Sequence, residues 1–177
     1  MVWRCSYGTE PPIGEVLAER FAAGLSRDDV FVTTKVANPR PAPAGMLPGG
    51  GLKYMLQPEL SAYEGVLDEF RGCLENLQLD AVDLLLIHFP GPPHTDNASL
   101  SPELSQKKRL EAWRALETIY EEGRAKAIGV SNYCVRHLEE LIGVAKVMPM
   151  VNQVELHTRL AQPELRAWCT EHRCEQP

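Results

Sequence analysis

Two rhythms of apolar residues divide the chain. The first is a short unbroken run, densest at Ala81-Val82-Asp83-Leu84-Leu85-Leu86-Ile87-His88-Phe89-Pro90. So many consecutive apolar positions in a segment this short predict a strand covered on both faces, as in parallel sheets beneath helices. Val30 to Val36, Ala125 to Asn132 and Met150 to Leu156 predict three further strands. The second rhythm has a helical period. Ile13, Val16, Leu17 and Phe21 define a helix ending at Gly24, and Val66, Leu67, Phe70, Leu74 and Leu77 define another. Leu110, Trp113, Leu116, Ile119 and Tyr120 form a third helical stripe, and Val135, Leu138, Leu141, Ile142 and Ala145 a fourth. Pro163 opens a last helix that buries Leu165, Trp168 and Cys169.

Strand and helix therefore alternate four times, which implies a parallel sheet with right-handed crossovers. Two stretches break the pattern. Residues 37–61 carry four prolines before Leu52 and the run Gly49-Gly50-Gly51, which predicts an exposed, poorly ordered insertion. Gly91 to Gln106 reads as a second polar loop. No G-x-G-x-x-G follows any strand, which argues against a doubly wound nucleotide-binding fold. The better fit is an α/β chain forming an incomplete TIM (β/α) barrel, in which polar residues from several strand ends meet at one mouth. Lys35, His88, Ser131-Asn132 and Asn152-Gln153 stand at such ends. Taken singly, a core histidine, a solvent-reaching lysine and loop-capping amides would account for them. Together, a cation, an imidazole and side-chain amides suit a polar group such as a carbonyl.

Composition narrows the function classes. The 177 residues, 44% hydrophobic and 24% charged, suit a single globular domain. A formal charge of −6 without a clustered basic patch argues against a nucleic-acid partner. Apolar runs of strand length predict no membrane span, and Met1 to Gly8 lacks the apolar core of a signal peptide, so a cytoplasmic setting is expected. Five scattered cysteines form no secreted disulfide framework, and Cys169 and Cys174 read as free thiols. No metal site is expected.

Several motifs in series resemble the aldo-keto reductase family. Leu79 to Pro90 is similar to its central signature, Lys126 to Tyr133 after Glu121-Glu122-Gly123 to a second, and Val151 to His157 to a third. Tyr7-Gly8-Thr9-Glu10 resembles its catalytic tyrosine motif and Thr33-Thr34-Lys35 its lysine motif. The resemblance covers nearly all of the chain outside residues 37–61, with the family's first and last barrel strands missing. It implies NADPH-dependent reduction of an aldehyde or ketone to an alcohol. On the matching positions Tyr7 gives the proton, Lys35 eases its loss and His88 orients the carbonyl substrate. Ser131, Asn132 and Gln153 hold the nicotinamide carboxamide. Where the family places an aspartate five residues before the tyrosine, this chain has Val2. Two alternatives stay open: a non-catalytic aldo-keto-like regulatory or interaction protein, and a truncated fragment of a longer reductase. Four strands leave two sheet edges open, so self-association through those edges is a further expectation.

Overall fold

A computed structural model describes residues 9–37, 54–55, 57–91 and 100–176. Nine elements alternate along it: α1 (Glu10–Ala22), β1 (Thr33–Val36), α2 (Ala62–Leu77), β2 (Leu84–Ile87), α3 (Pro102–Glu121), β3 (Ile128–Ser131), α4 (Val135–Ile142), β4 (Val151–Gln153) and α5 (Pro163–Glu171). The strands pair in parallel in the order β1-β2-β3-β4. Because the order never reverses, every right-handed crossover puts its helix on the same side, as in a barrel wall and unlike a doubly wound sheet. Glu175 bridges Val151 in parallel, so a fifth strand position begins beside β4. The expected open segment of a (β/α) barrel is the fold observed.

Register divides the sheet into two faces. Thr34, Leu85 and Ile128 share one layer, and Val36, Ile87, Val130 and Asn152 the next. Side chains alternate along a strand, so both layers point the same way. Leu85, Ile87, Ile128, Val130 and Val36 belong to the core with Phe70, Leu77, Trp113, Leu116 and Ile119 of the helices. This is the helix-covered face. The inner face carries Lys35, Leu86, Gly129 and Val151 in one layer, followed by His88, Ser131 and Gln153. A methyl group on Gly129 would lie 2.4 Å from the Val151 carbonyl oxygen and 2.9 Å from Leu86 Cδ2, so only glycine fits there.

Helix ends follow local chemistry. Ser61 and Ser101 cap α2 and α3 by accepting from Glu64 N and Leu104 N. Gly14 lets α1 lie against the end of α2, since a Cβ there would sit 2.1 Å from the Asn76 carbonyl oxygen.

Some expectations need correction. The strands are shorter than the apolar runs predicted, and Phe31 stands 62% exposed just before β1. Val16 and Ile142 are exposed, because α1 and α4 each present a narrower buried stripe than their sequences suggest. Helix α3 starts at Pro102, inside the stretch read as loop, because Ser101 caps it and proline suits a first turn. Residues 38–53 and 56 of the expected insertion lie outside the described residues. At its ends the expected exposure fails, since Ala37, Tyr54 and Met55 are core. The Tyr54 hydroxyl accepts from Ala37 N at 3.1 Å and donates to Glu69 Oε2 at 2.5 Å. Burial, then the Glu69 charge, pushes its phenol well above the ordinary value. Lys108, 2% exposed, donates to the carbonyls of Gln57 and Leu60 and ties the following turn to α3. Burial lowers its ammonium below the usual lysine value.

The amino-terminal end of the sheet is closed by charge. Asp83 Oδ2 accepts from Val32 N at 2.8 Å and from Arg27 at 2.7 Å, and its Oδ1 lies 2.9 Å from Lys126 Nζ. Burial alone would raise this carboxyl, but the Val32 N–H, Lys126 and Arg27 outweigh it and hold it below the ordinary aspartate value. A folded-state value depressed in this way stabilises the fold above the unfolded value, about pH 3.9. The contribution is lost as pH falls through the folded value. Asp83→Asn should therefore cost about 2 kcal/mol in urea unfolding at pH 7 and flatten the dependence of stability on pH below 4.

Candidate active site

Parallel register brings the sequence-predicted residues to one end of one face. Lys35 is the third residue of β1, and His88 follows the last residue of β2 on the neighbouring strand. Lys35 pairs with Leu86, two residues before His88, so their α carbons are separated by about 8 Å along a diagonal of the inner face. Both are nearly enclosed, at 3% and 8% exposure. The His88 backbone N–H donates to the Val36 carbonyl at 2.8 Å, extending the ladder past the strand so that the ring stays in register. Its ring packs against Phe89 with centroids 4.5 Å apart.

The next two strands add a hydrogen-bonded rim. The Ser131 hydroxyl donates to the Gln153 carbonyl at 2.7 Å, and the Asn132 backbone N–H donates to the same oxygen at 3.0 Å. Asn132 Nδ2 donates to the His88 carbonyl at 2.9 Å and to Ser131 Oγ at 3.1 Å. Both amide hydrogens of Asn132 are thus committed, and its carbonyl Oδ1 is the atom left for a ligand. Asn132 makes this rim from a left-handed backbone, φ 62°, a conformation that asparagine tolerates better than most residues. Gln153 Oε1 is buried and meets no donor among the described residues. The rim therefore offers two acceptors, Asn132 Oδ1 and Gln153 Oε1, to a group bearing N–H bonds. A primary carboxamide is such a group.

Tyr7 lies outside the described residues. Thr9 and Glu10 begin α1, and Glu10, fully buried, accepts from Thr34 Oγ1 at 2.5 Å. The strand that carries Lys35 is thereby tied to a position three residues past Tyr7. Asn152 does not join the mouth as its place beside Gln153 suggested: it points to the helix-covered face and donates to the Tyr133 carbonyl at 3.0 Å. The reason is the twofold period of a strand, which sends neighbours to opposite faces.

An aldo/keto reductase family model matches residues 6–173, nearly the whole chain. The chain belongs to the aldo/keto reductase family. It is 43% identical over 164 residues to an uncharacterized oxidoreductase, YtbE, of Bacillus subtilis (strain 168), and 40% identical over 163 residues to a glyoxal reductase of the same organism. Each alignment covers 92% of this chain and 46% of the relative. Among solved structures, an aldo/keto reductase from Brucella melitensis superposes with a TM-score of 0.72 at 33% identity, over 98% of this chain and 54% of that one. A Bombyx mori aldo-keto reductase in complex with NADP gives 0.73 at 27% identity, over 98% and 49%. This aldo/keto reductase chain thus spans about half the length of the relatives it matches.

Three residues that brace the candidate site carry little local signal. Glu10 stands out only as part of a motif, and Asn152, grouped with the strand ends, faces away from the mouth. Arg109 had no local signal at all. It forms a bidentate pair with Glu140, at 2.7 and 2.8 Å, and donates to the Pro90 carbonyl at 3.3 Å, bracing the exit of β2 two residues after His88. Tyr133, 1% exposed, is packed beside this pair. Burial, the largest influence, pushes its phenol above the ordinary value. Among the described residues its hydroxyl has no hydrogen-bond partner. Tyr133→Phe should consequently raise the thermal midpoint, by the equivalent of about 1 kcal/mol, since it removes a buried polar group that makes no bond. A lower midpoint would show that the hydroxyl is satisfied.

Proposed function

We propose that this chain reduces an aldehyde or ketone to an alcohol with NADPH, at the mouth formed by Lys35, His88, Ser131, Asn132 and Gln153. One observation carries the reading: a buried lysine, a histidine and the amide side chains of Asn132 and Gln153, the latter with a buried acceptor that meets no donor among the described residues, lie together at the carboxyl ends of consecutive parallel strands. That is the end of a barrel wall at which βα loops build reactive sites.

The residues present fit a nicotinamide cofactor. Asn132 Oδ1 and Gln153 Oε1 would receive the carboxamide N–H bonds, and Ser131 would support them from beneath. What NADPH supplies when bound is hydride for the carbonyl carbon. The chain's own residues manage the proton and the substrate. In this reading Tyr7 donates its phenolic proton to the carbonyl oxygen. A phenol with an ordinary pKa of about 10 gives up a proton reluctantly at neutral pH, and the Lys35 ammonium eases that loss by stabilising the phenolate. His88, held at the mouth by its ladder bond and by Asn132, presents its ring to the same oxygen and orients the substrate. The likeness to a glyoxal reductase and to an aldo-keto reductase in complex with NADP supports a small carbonyl substrate and this cofactor.

Residues 1–177 would act as one domain interrupted at 37–61, and the outer edge of β1, unpaired among the described residues, would favour self-association. The free thiols Cys134, Cys169 and Cys174 suit the reducing cytoplasm as its compartment. Among the described residues no helix is long and apolar enough to cross a membrane. A second reading is a non-catalytic aldo-keto-like protein with a regulatory or interaction role. It is favoured by Val2, which stands where the family places an aspartate five residues before the tyrosine.

Affinity separates the two. Each hydrogen bond to the carboxamide contributes about 0.5–1.5 kcal/mol net, whereas micromolar binding needs about 8 kcal/mol. Titration of NADPH fluorescence should give saturable binding weaker than micromolar, weakened roughly tenfold further by Gln153→Leu. Lys35→Met should leave binding within twofold and lower aldehyde turnover at least a hundredfold. Absence of saturable NADPH binding, or binding indifferent to Gln153→Leu, would contradict the reductase reading and leave the non-catalytic one.

A further inference from the structure

Asn152 is the anomaly in its layer. Val36, Ile87 and Val130 occupy the same register positions on β1, β2 and β3 and pack in the helix-covered core, and the fourth member, 0% exposed, is an amide. A branched apolar residue would fill that place without the cost of removing an amide from water. The amide donates from Nδ2 to the Tyr133 carbonyl at 3.0 Å and also hydrogen-bonds the Cys169 side chain. Beside it stands the Cys169 thiol of α5.

The bond to the Tyr133 carbonyl completes a grip. Gln153, the next residue of β4, uses its backbone carbonyl to hold Ser131 Oγ and the Asn132 N–H from the inner side of the sheet. Asn152 holds the following residue from the other side. Three successive residues, Ser131, Asn132 and Tyr133, are therefore fixed by two consecutive residues of β4. Between the two holds lies the left-handed backbone of Asn132. An L residue leaves that conformation readily unless its neighbours over-determine it. With the Tyr133 carbonyl released, the peptide after Asn132 could turn. The Asn132 side chain would then leave the His88 carbonyl, and Oδ1 would leave the mouth.

We propose that Asn152 is a positioning residue: from the helix-covered face it holds the turn that aims Asn132 at the nicotinamide carboxamide. The inference rests on the NADPH reading above and adds a residue that never touches the ligand. It acts through Asn132, and this distinguishes it from a residue that only stabilises the sheet.

The test is a double-mutant cycle combined with amide hydrogen exchange. Asn152→Leu, which restores the apolar layer, should weaken NADPH binding about tenfold in the native background and less than twofold in an Asn132→Ala background. Its shift in thermal midpoint should be the same in both. In the absence of cofactor the Asn132 amide, which donates to the Gln153 carbonyl, should exchange at least tenfold faster in Asn152→Leu, while the Val130 amide keeps its protection. If the leucine variant does not fold, Asn152→Ala replaces it in every arm. Equal losses of affinity in both backgrounds, or an unchanged exchange rate at Asn132, would overturn the proposal. Should the native chain bind no NADPH, the reductase reading fails, and the exchange measurement alone then decides whether Asn152 holds the turn.

Discussion

Parity is the constraint on which the structure depends. In a sheet whose four parallel strands lie in register, each residue's face is decided by whether its position is odd or even relative to its partners. One setting of that parity sends Leu85, Ile87, Ile128 and Val130 under the helices and Lys35, His88, Ser131 and Gln153 to the inner face. A slip of one residue in β2 alone would exchange Ile87 for His88 in the core. Burial of the outer apolar set is large, roughly 1.5–3 kcal/mol per fully buried side chain, and so enforces the register that the polar inner set requires. The chemistry is positioned by hydrophobic packing on the opposite side of the same strands.

The two ends of the sheet divide the work. At the amino-terminal end Asp83 gathers Arg27, Lys126 and the Val32 N–H into a charged knot that ties β1 to the start of β2. At the carboxyl end the bonds run between strand tips, from His88 to Asn132 to Ser131 to Gln153. Further braces stand behind that rim: Glu10 on Thr34, Arg109 with Glu140 on the Pro90 carbonyl, and Asn152 on the Tyr133 carbonyl. Each is nearly buried, each belongs to an element adjacent to a rim residue, and each holds the backbone or strand that carries one. The charged knot sits at one end and the candidate site at the other, the arrangement usual for a barrel wall.

Much of this was legible in the amino-acid sequence because it depends on period alone. The unbroken run through Leu84 to Ile87 could be nothing but a covered strand, and the helical stripes through Phe70, Trp113 and Leu138 found their core positions. The ends of strands are also legible, which is why Lys35, His88, Ser131, Asn132 and Gln153 can be read together from the sequence. Other features depend on contacts between distant parts of the chain. The burial of Tyr54 and Met55 beside a proline- and glycine-rich stretch follows from the fit of the Tyr54 ring over Gly65, a contact that no local pattern encodes. Arg109 looks like any charged helix residue until Glu140 and Pro90 are brought to it. Asn152 was misplaced for a different reason. Its identity suggested the mouth, but its parity, readable from Gln153 beside it, already assigned it to the other face.

The central claim is that one end of this sheet receives the nicotinamide. A crystal structure of the chain grown with NADPH tests it most directly. The account predicts electron density for the ring at the tips of β2, β3 and β4, with the carboxamide nitrogen within about 3 Å of Asn132 Oδ1 and Gln153 Oε1. A cofactor seated at the opposite end beside Asp83, or on the helix-covered face, would contradict it.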